Sequence, residues 1–464
     1  MPSIRELARQ IRNGRTTTLQ IVDQCLQAIA EREKDINAFI TVLTDEAQAQ
    51  ARRSDEELRR GEDRGFLHGI PISIKDIINL DGIPTTAASA VRKGHRATTD
   101  ATVIARLRAS GAIFIGKCNL HEFAFGTTGE DSAFGPTRNP RAPDRLAGGS
   151  SSGSAASVAA GMALASIGTD TGGSIRIPAA ACGVVGLKPT HGELTTEGIV
   201  PLAPTLDHVG PLANTVGDAA VIYKVMAGGS VQVDSDEVLQ RTKPPCRRLG
   251  LPQSYFLDQV DATIRCSFEE TVDHLRKAGY RIQEVSVGHA DTIATTYRLT
   301  QLYEAFQIHE HLLETRFDDY SPAVRDRLSL GRYVSEDDYH RMQVDRAVLR
   351  NEVDRNLVGI DALVLPTLAI PAPTPGSTHA LIDGQYQDLR AVSLRLTQLF
   401  NLTGHPAISL PTGTTTAGLP CATQLVGRRH HTESLLQLAS ELEATLESRQ
   451  DFRHARHRVN LIRS

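Results

Sequence analysis

The sequence predicts an α/β protein, a single domain over residues 1–464 with a mixed central β-sheet sandwiched by helices on both faces. Two observations carry this. Helical and strand-like segments alternate along most of the chain, the pattern of a sheet covered by helices. In addition, 40% hydrophobic and 22% charged residues in 464 is ordinary globular usage and enough to bury a large core.

The elements follow in order. Ile4, Leu7 and Ile11, then Ile21, Val22, Cys25, Leu26 and Ile29, fall at helical spacing and predict two amphipathic helices. "GFLHGIPISIKDIINLDGIPTT" is Ile-rich and broken by Gly and Pro, which reads as strand and turn. "DATVIARLRASGAIFIGKCNL" reads as helix, glycine stop and buried strand, and "GVVGLKPT" and "AAVIYKVMAG" continue the alternation. Residues 231–247 turn polar and predict a surface crossing. After them come "LGLPQSYF", a helix from Ala262 to Ala278 and the strand "YRIQEVSV". Residues 290–358 read as almost wholly helical, a peripheral or cap layer whose charges are a solvated face. A strand in "DALVLPTLAIPAP", a helix through "LRLTQLFNLTG", strands "PAISLPTG" and "ATQLVG", and a last helix "TESLLQLASELEATLE" close the domain.

Composition excludes several classes of function. A formal charge of −4 gives no footprint for nucleic acid or an anionic membrane, and no run of ~18 apolar residues predicts a span. Six cysteines without C-x-x-C spacing argue against a disulfide framework or zinc ribbon, so a reducing cytoplasm is expected. The sixteen histidines show no H-E-x-x-H spacing, and no metal or organic cofactor is expected.

Two serine-bearing loops carry candidate chemistry. In "AGGSSSGS" Ser151 is the middle of a G-x-S-x-G pattern, which suits a nucleophile elbow; a backbone anion cradle or close-packing loop reads as well. The elbow needs a strand before it, and "TRNPRAPDRLAGG" reads as a Pro-broken loop. In "GTDTGGSIRIP", Thr171, Gly172, Gly173 and Ser174 can form a tight turn with inward N–H groups, an oxyanion hole; the alternative is a plain turn with Ser174 as a cap. Lys75 decides between them. In "IPISIKDII" Ile72 and Ile74 share one strand face, Ser73 and Lys75 the other, so an amine is embedded in apolar surroundings that favour its neutral form. Snorkelling, or pairing with Asp76, is the ordinary alternative for such a lysine.

In this order the pieces resemble the amidase signature family of serine amide hydrolases. The likeness runs from "INAFITV" through "LHGIPISIKDI", "GKCNLHEFAFGTTGEDSAFGPTRNP", the long block "AGGSSSGSAASVAAGMALASIGTDTGGSIRIPAAACGVVGLKPTHG" and "LDHVGPLANTVGDAA" to "NLTGHPAISLPTG" and "GLPCATQLVG". The resemblance implies a Ser-cisSer-Lys triad of Ser174 (nucleophile), Ser150 (proton relay, after a cis Gly149–Ser150 bond) and Lys75 (base), with Thr171 to Ser174 as the oxyanion hole. It also implies that Ala124, Phe125 and Gly126 line the acyl pocket, although Phe123 and Phe125 also suit a core. Ser151 and Ser152 are read as loop hydrogen-bonding groups, Ser151 also as a substrate neighbour. Asp170 and Arg176 are expected to form a salt bridge that pins the turn.

The expected function is hydrolysis of a small-molecule carboxylic amide through a serine acyl-enzyme, by a chain that is compatible with homo-oligomerisation. The alternative is the glutaminase component of a tRNA-dependent amidotransferase, which works inside a multi-subunit complex. Two departures from that component's pattern favour the stand-alone reading: Ile177 where it usually has Gln, and Leu394 where it usually has an Asp for glutamine's ammonium. Arg327, in "VRDRLSLG", is expected to grip a substrate carboxylate.

Overall fold

A computed structural model describes residues 2–231 and 247–447; the surface crossing expected at 231–247 falls almost wholly outside the described residues. The strands are β1 (Phe39–Val42), β2 (Pro71–Lys75), β3 (Ile113–Cys118), β4 (Arg138–Asn139), β5 (Ala142–Leu146), β6 (Ala165–Asp170), β7 (Val185–Lys188), β8 (His208–Ala213), β9 (Arg248–Pro252), β10 (Arg281–Val285), β11 (Ala362–Pro366), β12 (His379–Ile382), β13 (Gln385–Asp388), β14 (Ala407–Thr414) and β15 (Pro420–Val426). Eleven of them form one sheet in the order β1-β3-β2-β6-β8-β7-β14-β15-β11-β9-β10. The sheet is mixed: β3, β2 and β6 are mutually parallel, as are β11, β9 and β10, while the pairs from β6 to β11 through β8, β7, β14 and β15 are antiparallel.

Side-chain parity explains why both faces are covered. Along β2, β6 and β14, Ile72, Ile74, Ala165, Ile167, Ile408 and Leu410 enter one apolar cluster with the helices Thr102–Ala109, Val216–Met226 and Thr432–Leu446. Residues of opposite parity elsewhere in the sheet, such as Ile113, Ile115, Leu363, Leu365 and Val426, enter two other clusters on the reverse face. Helices Thr18–Ile36 and Ser152–Ala159 pack there beside the N-terminal strands, and Glu336–Asn356 and Gln398–Leu402 beside the C-terminal ones. The helical stretch expected at 290–358 consists chiefly of Ile293–Thr315, Pro322–Ser329 and Glu336–Asn356. Among the described residues no helix is long and apolar enough to cross a membrane.

Two local expectations are corrected, and one strand was not expected. "TRNPRAPDRLAGG" is not merely a loop: it holds the two-stranded β4–β5 hairpin, separate from the main sheet, so a strand does precede the Gly/Ser turn. The helix expected through "LRLTQLFNLTG" is the short Gln398–Leu402, separated at Arg395–Thr397 from the helix Leu389–Leu394 before it. β8 escapes a reading by composition because Gly210 and Pro211 disfavour a central strand. It nevertheless pairs with β6 from Ala165↔Ala213 to Asp170↔His208, and a Cβ on Gly210 would lie 2.2 Å from the Leu187 carbonyl, so only glycine admits that approach.

Candidate active site

Lys75 ends β2, and its strand neighbour of like parity, Ser73, shows what that face meets: Ser73 Oγ lies 2.9 Å from Ser157 Oγ on the helix Ser152–Ala159. Lys75 Nζ reaches the N-terminal approach to the same helix. It lies 2.8 Å from Ser150 Oγ and 2.8 Å from Thr169 Oγ1, and the side chain is fully buried. Asp76 does not pair with it. That carboxylate binds Lys117 at 2.9 Å and accepts from Thr86 N at 2.9 Å, which removes the ordinary ion-pair reading of Lys75. Burial pushes the Lys75 amine down to about 7, against the weaker pull of Asp170 and Asp207 in the other direction. Thr169 is a site residue that sequence reasoning missed; its only signal is its place in "GTDTGGS".

The Gly149–Ser150 peptide is cis. The turn is tied on both sides, with Gly149 N donating to Thr127 O at 2.7 Å and Ser150 O accepting from His121 N at 3.1 Å. Ser151 Oγ donates to Thr169 O (3.1 Å) and accepts from Thr169 N (3.3 Å), while Ser152 Oγ donates to Thr137 Oγ1 (3.2 Å). Both hydroxyls therefore hold the loop. Ser151 N also donates to Ser174 O at 3.1 Å, which joins the cis turn to the second serine turn.

That second turn, between β6 and the helix Arg176–Cys182, is fixed at both ends. Asp170 and Arg176 form a fully buried ion pair (2.9 Å), and Arg176 also donates to Thr397 O, Gln424 Oε1 and Asn401 Oδ1 at 3.1, 3.2 and 2.7 Å. Its guanidinium is thus committed to the turn. Burial pushes the Asp170 carboxyl up, but Arg176 outweighs this and holds it well below the usual range. Asp207 accepts from Thr171 Oγ1 at 2.6 Å and from the N–H groups of Leu202 and Ala203; burial raises its carboxyl to about 6. Gly173 has φ +144°, and a Cβ on Gly172 would lie 2.1 Å from the Tyr297 hydroxyl and 3.0 Å from Leu394. The turn requires both glycines. Of the four hydroxyls at 150, 151, 152 and 174, Ser174 alone keeps exposure, 7% against 0% for the others.

Ala124 lines a cavity of about 100 Å³ with Thr169, Thr171, Ile199, Leu202 and Asp207. Gly126 packs so closely on His121 that a Cβ would fall 2.0 Å from its ring. Phe125 is buried, and its carbonyl accepts from Arg327 Nη1, whose guanidinium lies 5.3 Å from the ring centroid. Ile177 and Leu394 both touch the turn at Gly173 and Gly172.

A buried lysine on a shielded serine, beside a rigid glycine turn that presents a reachable serine, is a set of groups fitted to serine acyl transfer. The Amidase family profile matches residues 20–436, and the chain belongs to that family. It is 35% identical over 472 residues to the A subunit of glutamyl-tRNA(Gln) amidotransferase from Koribacter versatilis (strain Ellin345), covering 94% of this chain and 96% of that one. Among solved structures it is similar to one described as an amidase (36% identity, TM-score 0.90, 96% and 99% of the two chains). It is also similar to a chain from a vestigial protein complex bearing on the origins of an s-triazine catabolic enzyme (31%, TM-score 0.88, 96% and 98%).

Proposed function

We propose that this protein hydrolyses a carboxylic amide through an acyl-enzyme on Ser174, with Ser150 as proton relay and Lys75 as base. The observation that carries the reading is the 2.8 Å contact between Lys75 Nζ and Ser150 Oγ, in a fully buried setting that holds the amine near neutrality. Neutral Lys75 takes the Ser150 proton, Ser150 takes that of Ser174, and Ser174 Oγ bonds to the amide carbon. The N–H groups of Thr171 to Ser174 stabilise the oxyanion. As the tetrahedral intermediate collapses, the C–N bond breaks and the relay returns its proton to the departing amine. Water, deprotonated by the same relay, then attacks the acyl carbon and releases the acid. Ala124, Phe125, Gly126, Ser151 and Arg327 surround the acyl group; Ser151 acts by holding the loop, since its hydroxyl is engaged by Thr169. This chemistry asks for no cofactor.

A second reading, the glutamine-hydrolysing component of an amidotransferase, is favoured by the likeness to the Koribacter amidotransferase A subunit over nearly its whole length. Against it stands Leu394, apolar and packed against the nucleophile turn, where an ammonium would need an acid. The test is ammonia release by the purified chain from a panel of small amides, ureas, aryl amides and glutamine, with and without the other amidotransferase components. Turnover of a simple amide by the chain alone supports the first reading. Release from glutamine only with those components supports the second.

A further inference from the structure

The loop from Leu202 to Asp207 borders two cavities. Leu202, Pro204 and Asp207 line the one of about 100 Å³ that Thr169 and Thr171 share, whereas Pro204 and Thr205 line a second, open cavity of about 440 Å³. His191, Gln343, Arg346 and Arg350 complete the second cavity, and among the described residues no acid lines it. None of these side chains takes part in the proposed acyl transfer. Gln343, Arg346 and Arg350 recur at i, i+3 and i+7, so one face of the helix Glu336–Asn356 presents all three.

The two arginines are held by uncharged acceptors. Arg346 is buried and donates to Thr205 Oγ1 at 2.8 Å, to Thr205 O at 2.6 Å and through Nε to Leu402 O. Arg350 donates through Nε to Thr403 O at 3.3 Å, and neither of its Nη atoms has a hydrogen bond or ion pair among the described residues. The acids that act on these cations from a distance are engaged elsewhere. Glu304 accepts from Thr205 N and from the Tyr339 hydroxyl, both at 3.0 Å, and Asp354 binds Arg429 at 2.8 Å and His405 at 3.0 Å. Gln343 turns its carbonyl to Arg346 at 3.4 Å, which leaves its buried Nε2 without an acceptor. His191 Nε2 donates to Pro204 O at 3.4 Å; burial, then the charges of Arg346, Lys188 and Arg350, hold its imidazole below the usual value and so neutral at pH 7. An unpaired guanidinium fork and an unpaired amide donor on one cavity wall are satisfied together by an oxyanion, which accepts from both.

We propose that this cavity is a second ligand site, separate from the nucleophile turn, for a small molecule carrying a phosphate or carboxylate group, with Arg350 Nη1 and Nη2 and Gln343 Nε2 as its donors. Arg346 supplies a fixed positive charge behind them, and His191 forms part of the opposing wall. The proposal stands apart from amide hydrolysis and does not depend on it.

The test is calorimetric titration of the full chain with inorganic phosphate and, separately, with citrate, at an ionic strength fixed by potassium chloride so that general screening is constant. Saturable 1:1 binding of at least one of them is expected, with a Kd of about 1 mM or tighter. Arg350→Gln should weaken it about tenfold or more and Gln343→Leu about three- to tenfold, with native circular dichroism in both. If R350Q does not fold, R350K, which keeps the charge but loses the planar fork, should still weaken binding about threefold or more. Binding of phosphate alone identifies a phosphorylated ligand and binding of citrate alone a carboxylated one; either supports the site. The bound anion should also raise the titration midpoint of His191, read by NMR and assigned by loss of its signal in His191→Gln. Absence of saturable binding of either anion up to about 10 mM would overturn the proposal. So would binding that is unchanged in both R350Q and Q343L, or a His191 midpoint that stays put when the anion is bound.

Discussion

Lys75 is a fully buried amine held by two hydroxyls, with no carboxylate in ion-pair contact among the described residues. With its pKa near 7, hydrolysis is expected to rise with pH through a limb centred there, and Lys75→Met should remove the limb together with most of the rate. The same shift makes a stability prediction of definite sign. The folded value lies below the ordinary 10.5, so between about 7 and 10.5 the unfolded chain binds a proton that the folded chain lacks. Stability from this group therefore rises with pH across that window, and the burial penalty is full below 7. Lys75→Met should raise the urea midpoint at about pH 6.5, by an amount that shrinks towards about pH 10. A gain that grew with pH would contradict the assignment. In the sequence, strand parity points to Lys75 and the glycine turn to Ser174, whereas Ser150 comes only from the resemblance to the amidase signature family, because the first glycine loop by itself marks Ser151. Thr169 and Asp207 were not legible, since their parts depend on partners 18 and 36 residues away. Tyr297 escaped for the same reason, meeting the turn only at Gly172.

The element that matters most is the turn from Asp170 to Arg176. Arg176 ties it to Asp170, Thr397, Asn401 and Gln424, so the N–H groups of Thr171 to Ser174, the proposed oxyanion donors, are positioned by a network reaching the chain's C-terminal third. Arg176→Gln leaves Asp170 buried without its counter-ion, and a loss of about 3–5 kcal/mol in urea unfolding is expected. Gly172→Ala separates geometry from stability. Its Cβ must displace the Tyr297 hydroxyl, so activity should fall about 10²- to 10³-fold while circular dichroism stays native. Activity within about threefold of the parent would show that the turn tolerates a side chain and is no oxyanion hole. Elements with clear periodicity, such as Thr18–Ile36 and Ala262–Lys277, were readable from the sequence. β6 was not, because it is buried on both faces and shows no alternation. The β12–β13 hairpin was also missed, although Asp383-Gly384, both with positive φ, is a two-residue turn signal.

At the scale of the molecule, the mixed eleven-stranded sheet brings residues 75, 150–152 and 169–176 together on the face opposite Ile72 and Ile74. The alternation of helix and strand announced the class, but the strand order was beyond it: β14 and β15 insert between β7 and β11, and the β7–β14 pairing joins Lys188 to Ala407, far apart in the chain. That insertion also places Gln424 of β15 on Arg176, so C-terminal strands support the turn from Asp170 to Arg176. The account as a whole turns on which serine is acylated. The direct measurement is peptide mass mapping after treatment of the native chain with a fluorophosphonate, repeated on Ser174→Ala. The account predicts a single modified residue, Ser174, in the native chain and no label in the variant. A label on Ser150 or Ser151, or one that persists in Ser174→Ala, would contradict it.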